Sequence, residues 1–140
     1  MSPAAAAMKD NGGTIRAFGR RRLLDCLKDL SGYGSAALAH ETATHSLRVA
    51  LRRLENGLDL FKSFLPRAGV KSVREEVREI SKRAGKVRDC DLVLRVAPAI
   101  TGSIDARLLM SLVARRERRI DRLVWKPAKT VERWRKLLEI

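Results

Sequence analysis

His45, Arg48 and Arg52 recur at i, i+3 and i+7. On a helix turning about 100° per residue they line up as one cationic stripe, with Arg53 at its edge. Arginine forks and a protonatable imidazole offer donors where an oxyanion offers only acceptors, so this pattern is suited to binding a polyanion. A second basic run follows: Lys82, Arg83, Lys86 and Arg88, interrupted by Gly85 and closed by Asp89 and Asp91. Two short carboxylates inside such a run suit the task of pairing with arginines and fixing their direction. A third row, Arg115, Arg118 and Arg122 with Arg119 beside it, repeats the spacing nearer the C-terminus.

Catalytic chemistry finds little support. His40 and His45 diverge by about 140° on a helix and cannot share a metal through adjacent turns. Glu75, Glu76 and Glu79 lack a histidine at helix-bundle di-metal spacing. No HExxH, GxSxG, GxGxxG or Walker pattern occurs. The expectation is a protein without catalytic residues, metal or cofactor.

The elements that must position these residues are helices. Leu47, Leu51, Leu54, Leu58 and Phe61 form an apolar stripe roughly opposite the first cationic one. That helix is expected to start between Ser35 and Thr44 and to end at Phe64 or Leu65, before Pro66 and Gly69. A preceding helix is expected from Thr14, as N-cap, to Leu30, with Leu23, Leu24, Leu27 and Leu30 inward. Arg16, Arg20, Arg21 and Arg22 would then crowd its first half, against the helix dipole. A third helix from about Lys71 carries Val73, Val77, Ile80, Ala84 and Val87 inward and is limited by Pro98. Gly85 in its interior costs about 1 kcal/mol against Ala, which points to a close approach or a break.

A fourth helix is expected from Ile104, capped by Ser103, to Trp125, with Leu108, Leu109, Leu112, Val113, Ile120 and Leu123 inward. A fifth runs from Ala128 to Leu138 and buries Val131, Trp134 and Leu138. No strand alternation occurs, and the connections are short. The fold class is therefore all-α, an antiparallel helical bundle of about four to five helices. Met1 to Gly13 reads as a disordered leader and residues 14–140 as a single domain.

Composition agrees with a folded, basic protein. The chain has 140 residues, 45% hydrophobic and 33% charged, and a formal net charge of +14. Its 30 basic residues are 21 Arg and 9 Lys, spread over both halves of the chain rather than gathered in a tail. No apolar run reaches the length of a membrane span. Cys26 and Cys90 have no CxxC spacing and read as buried thiols of a reducing compartment.

The set His45, Arg48, Val49, Arg52, Arg53 and Leu54, then Leu60 and Phe61, then Gly85, Arg88, Asp89 and Asp91, resembles the CHAD family (conserved histidine α-helical domain). The resemblance implies a non-catalytic domain that binds inorganic polyphosphate in a basic channel. It implies His45, Arg48, Arg52 and Arg53 as ligand contacts, with Lys82, Arg83, Lys86 and Arg88 extending the cationic wall. Arg115 and Arg119 are added to this wall from the third basic row. Asp89 and Asp91 would orient the cations. A cytoplasmic location, with some relatives at polyphosphate granules, is part of the same expectation.

Three departures stand out. Members carry two similar helical halves, whereas this chain carries one motif, so a homodimer is expected to complete the channel. Glu55 stands where members often carry arginine, and Ala84 replaces the usual leucine before Gly85. The competing readings are a nonspecific nucleic-acid binder, a phosphoacceptor or phosphate-metabolism accessory domain built on His45, and a structural scaffold. The first lacks aromatics interleaved for base stacking and any helix-turn-helix signature.

Overall fold

The computed structural model describes residues 3–34, 40–101, 105–123 and 125–140, with side chains described for 13–34, 40–99, 105–123 and 125–140. The described residues form five α-helices and no strand: α1 Pro3–Ser31, α2 Glu41–Phe61, α3 Arg67–Thr101, α4 Ala106–Arg122 and α5 Pro127–Leu137. A 3-10 turn, Lys62–Phe64, closes α2.

The core is made by the stripes that helical spacing predicts. Leu23, Leu27 and Leu30 of α1 meet Leu47, Leu51, Leu54, Leu58 and Phe61 of α2. Val70, Val73, Val77, Ile80, Ala84 and Val87 of α3 join them, and Trp134 and Leu138 close the bundle from α5. Each fully buried aliphatic side chain contributes roughly 1.5–3 kcal/mol. Two glycines permit close approaches. A Cβ on Gly19 would meet the Phe61 ring at 2.5 Å, and one on Gly69 would strike the Leu137 carbonyl. The indoles are satisfied: Trp125 Nε1 donates to the Tyr33 carbonyl at 2.9 Å and Trp134 Nε1 to Glu76 at 3.1 Å.

Several boundaries differ from expectation. The backbone is helical from Pro3, upstream of the expected cap at Thr14 and through part of the expected leader. The alanine run, Ala4 to Ala7, has the highest helix propensity of any residue type, and a proline fits the first helical position. Arg16 to Arg22 therefore lie inside the helix, away from the positive end of the dipole. Helix α3 does not stop at Pro98 but runs on to Thr101. The cap expected at Ser103 and the start expected at Ile104 lie outside the described residues. Asp105 caps α4 instead, its carboxylate accepting from the Arg107 amide at 2.9 Å.

The largest correction concerns α4. Leu108, Leu109 and Val113, expected inward, are 50%, 40% and 40% exposed. The reason is architectural: α4 has α3 as its main neighbour, so only one side of its broad apolar stripe is covered. No helix is long and apolar enough to cross a membrane among the described residues.

Candidate anion-binding site

Helix α3 lies between α2 and α4, and ion pairs hold it to both. Toward α2, Arg74 pairs with Asp59, Arg78 with Glu55 at 3.1 Å, and Arg88 with Glu41 at 3.1 Å; Arg95 reaches Glu41 as well. Toward α4, Asp91 pairs with Arg116, the carboxylate being 3% exposed and the guanidinium 14%. Asp91 thus orients an arginine that the sequence reading did not single out. Asp89 is exposed and makes no ion pair among the described residues.

These pairs set the antiparallel register of α2 and α3. From Glu55 and Arg78, equal steps back along α2 and forward along α3 bring Arg52 level with Ser81, Arg48 with Gly85, and His45 with Arg88. Arg48 lies within about 20° of Glu41, Glu55 and Asp59 around the α2 axis, so it flanks the α3 contact. Arg48 stands at the flank of the stripe, while Arg52 and His45 lie farther round from the leucines. Arg53 falls about 100° beyond Arg52, toward α1, where its charge acts on Cys26. The structure therefore separates Arg53 from the other three.

Gly85 neither breaks α3 nor meets a neighbour: a Cβ there would find nothing within 4 Å. The space a side chain would occupy there is open, at the level of Arg48 in the register. The cost of Gly85 to the helix is thus unrelated to packing.

On the other side of α3, Lys82, Arg83 and Lys86 face Arg119 and Arg122 of α4 across a cleft of about 290 Å³, with Glu79 at its wall. Glu79 pairs with Arg83 at 3.2 Å. A smaller hollow of about 150 Å³ continues it, where Lys86, Asp89, Arg115 and Arg119 meet Cys90, Val93 and Leu112. Arg122 belongs to this site and was legible only as a member of the third basic row. Arg118 of that row lines neither hollow.

The arginines thus divide into two kinds. Arg74, Arg78, Arg83, Arg88 and Arg95 spend their charge on carboxylates. His45, Arg48, Arg52, Lys82, Lys86, Arg115, Arg119 and Arg122 make no ion pair among the described residues. Of the expected wall, the structure brings Lys82, Arg83, Lys86, Arg115 and Arg119 together around the two hollows between α3 and α4. Arg83 and Arg88 are already paired with carboxylates.

A larger hollow, about 700 Å³, lies elsewhere, at the α2–α3 corner. Lys62, Arg67 and Lys71 line it with Arg74 and Arg78, beside Glu75. Arg67, Lys71, Arg74 and Arg78 follow one another at i, i+4, i+7 and i+11 on α3, and Lys62 joins them from the 3-10 turn.

Both cysteines are free thiols, and burial pushes the Cys26 thiol up, which keeps it protonated. No cluster of three metal-ligating side chains exists among the described residues.

The family model described as the CHAD domain matches residues 21–139. The chain belongs to the CHAD domain family. The match covers nearly the whole of the described bundle, and both motifs, around His45 and around Gly85, fall within it. No curated protein and no solved structure matches this CHAD domain.

Proposed function

We propose that this CHAD domain binds inorganic polyphosphate, without catalysis, on the cationic surface formed by α2, α3 and α4. The observation that carries the reading is the set of cations left without counter-ions. Seven arginines pair with carboxylates among the described residues, whereas His45, Arg48 and Arg52 of α2, Lys82 and Lys86 of α3, and Arg115, Arg119 and Arg122 of α4 make no ion pair among them. Charge-assisted hydrogen bonds to phosphate oxygens are the strong kind, about 1.5–3 kcal/mol each. A linear polyanion satisfies many of them at once and releases counter-ions, so binding weakens with salt.

A second protomer completes the channel in this reading, and the site works in the cytoplasm or at polyphosphate granules. Nucleic acid is the second ligand class, favoured only by net charge: the exposed aromatics are Phe18 and Phe64, and both lie at the α1 side of the bundle. Competition decides between the two. Polyphosphate should displace a labelled DNA of equal phosphate count at least about tenfold more effectively than unlabelled DNA does. Equal displacement would return the surface to nonspecific charge.

A further inference from the structure

The hollow at the α2–α3 corner is built differently from the cleft between α3 and α4. Among the described residues that cleft is lined by charged side chains alone, Glu79 with Lys82, Arg83, Lys86, Arg119 and Arg122. The corner hollow, of about 700 Å³, has cations on one part of its wall and Leu65 and Val70 on another. Its volume falls in the range of small-molecule sites, about 300–1,000 Å³. A bare phosphate chain gains nothing from an apolar wall, because it has no apolar surface to bring out of water. An anion that carries an organic body gains from both parts of the wall.

The cations of the corner converge. Arg67, Lys71, Arg74 and Arg78 fall within about 60° of one another around α3, so they share one face of the helix. Lys62 reaches the same hollow from the 3-10 turn. Arg74 and Arg78 are spent on Asp59 and Glu55. Lys62, Arg67 and Lys71 are exposed and make no ion pair among the described residues. These three match the charge of a short phosphate group of two or three units. Glu75 also lines the hollow and is exposed. Its carboxylate repels phosphate but accepts from a hydroxyl or an amino group. A phosphate group, a flat ring with apolar faces and hydroxyl or amino donors occur together in a nucleotide.

We propose that the corner hollow binds a nucleoside di- or triphosphate, at a site separate from the polyphosphate surface. Lys62, Arg67 and Lys71 take the phosphate oxygens, Leu65 and Val70 cover the base, and Glu75 accepts from a sugar hydroxyl or a base amine. The two sites stand apart. Lys71 precedes Lys82 by eleven positions of α3, roughly 16 Å along the helix. On α2, Glu55 and Asp59 stand between Arg52 and Lys62, and both are paired across to α3. They interrupt the row of free cations, so the corner does not prolong the polyphosphate surface.

Equilibrium dialysis of the full chain against radiolabelled ATP at near-physiological salt tests this. The expected result is saturable binding of about one ATP per chain. Lys62→Ala/Lys71→Ala should raise the ATP dissociation constant at least about tenfold. Both side chains are exposed, so melting should match the parent, and Lys62→Arg/Lys71→Arg should keep ATP binding. Arg48→Ala/Arg52→Ala should change it less than about twofold. Unlabelled ATP should displace the label at least about fivefold better than inorganic tripolyphosphate, which has the phosphates without the organic body. No saturable binding, or binding that survives Lys62→Ala/Lys71→Ala, overturns the proposal. So does an equal loss in Arg48→Ala/Arg52→Ala, or equal displacement by tripolyphosphate. Polyphosphate affinity is read in a separate titration, where Lys62→Ala/Lys71→Ala should match the parent. A matching loss there would make the corner part of the polyphosphate surface and also overturns the proposal. A parent chain that binds ATP and not polyphosphate fails the polyphosphate reading alone.

Discussion

Asp91 of α3 holds Arg116 of α4 inside the protein, 25 positions along the chain, and so ties α4 to the bundle. The pair fixes where Arg115 and Arg119, on either side of Arg116, meet Lys86. A buried ion pair adds little net stability when intact, but removing one partner strands the other.

Asp91→Ala should therefore cost about 3 kcal/mol or more and lower the melting temperature by roughly 10 °C. Replacing both residues, Asp91→Leu with Arg116→Met, should recover most of that loss. Thermal melts of the three chains read it. A single substitution as harmless as the double one would show that the pair is not a structural tie.

Gly85→Ala should raise stability by about 0.5–1 kcal/mol, because the added Cβ meets nothing and the helix gains propensity. Gly85→Leu should fold as well, yet weaken polyphosphate binding by filling the open space level with Arg48. Denaturant melts and a titration check the two effects independently. Loss of stability in Gly85→Ala would contradict the open space at Gly85.

Glu55 accepts a hydrogen bond from Arg78 at 3.1 Å. Glu55→Ala should release Arg78 and increase polyphosphate affinity severalfold. The stability cost should stay below about 1 kcal/mol, because exposed pairs contribute little. Weaker binding would show that Glu55 positions the cations and does not merely neutralise one.

His45 is exposed on α2 and makes no ion pair among the described residues. His45→Ala should weaken polyphosphate binding severalfold and leave the melting temperature unchanged, as titration and thermal melts would read. Unchanged affinity would remove His45 from the site.

The bundle was legible where one helix face meets one core. Leu47 to Phe61 and Val73 to Val87 follow helical spacing into the interior, because each of those helices has neighbours across its whole apolar stripe. Leu108, Leu109 and Val113 carry the same spacing yet stay exposed, since periodicity says which residues share a face and not whether anything covers it. The candidate site was legible as types and rows. Which cations stay free was not, because the deciding partners are far away in sequence: Glu41 for Arg88 lies 47 positions off and Glu55 for Arg78 lies 23. Arg118 and Arg119 are neighbours in one basic row, and only the docking of α4 on α3 tells which of them reaches the cleft.

The most direct measurement is a calorimetric titration of medium-length polyphosphate at near-physiological salt, run on the parent chain, Arg48→Ala/Arg52→Ala and Arg53→Ala. The account predicts tight binding by the parent and a loss of at least ~2 kcal/mol, roughly thirtyfold, in the double variant. Arg53→Ala, turned toward α1, should bind nearly as the parent does. Failure of the parent to bind, or equal affinities in the parent and the double variant, would contradict the assignment of this surface as the polyphosphate site.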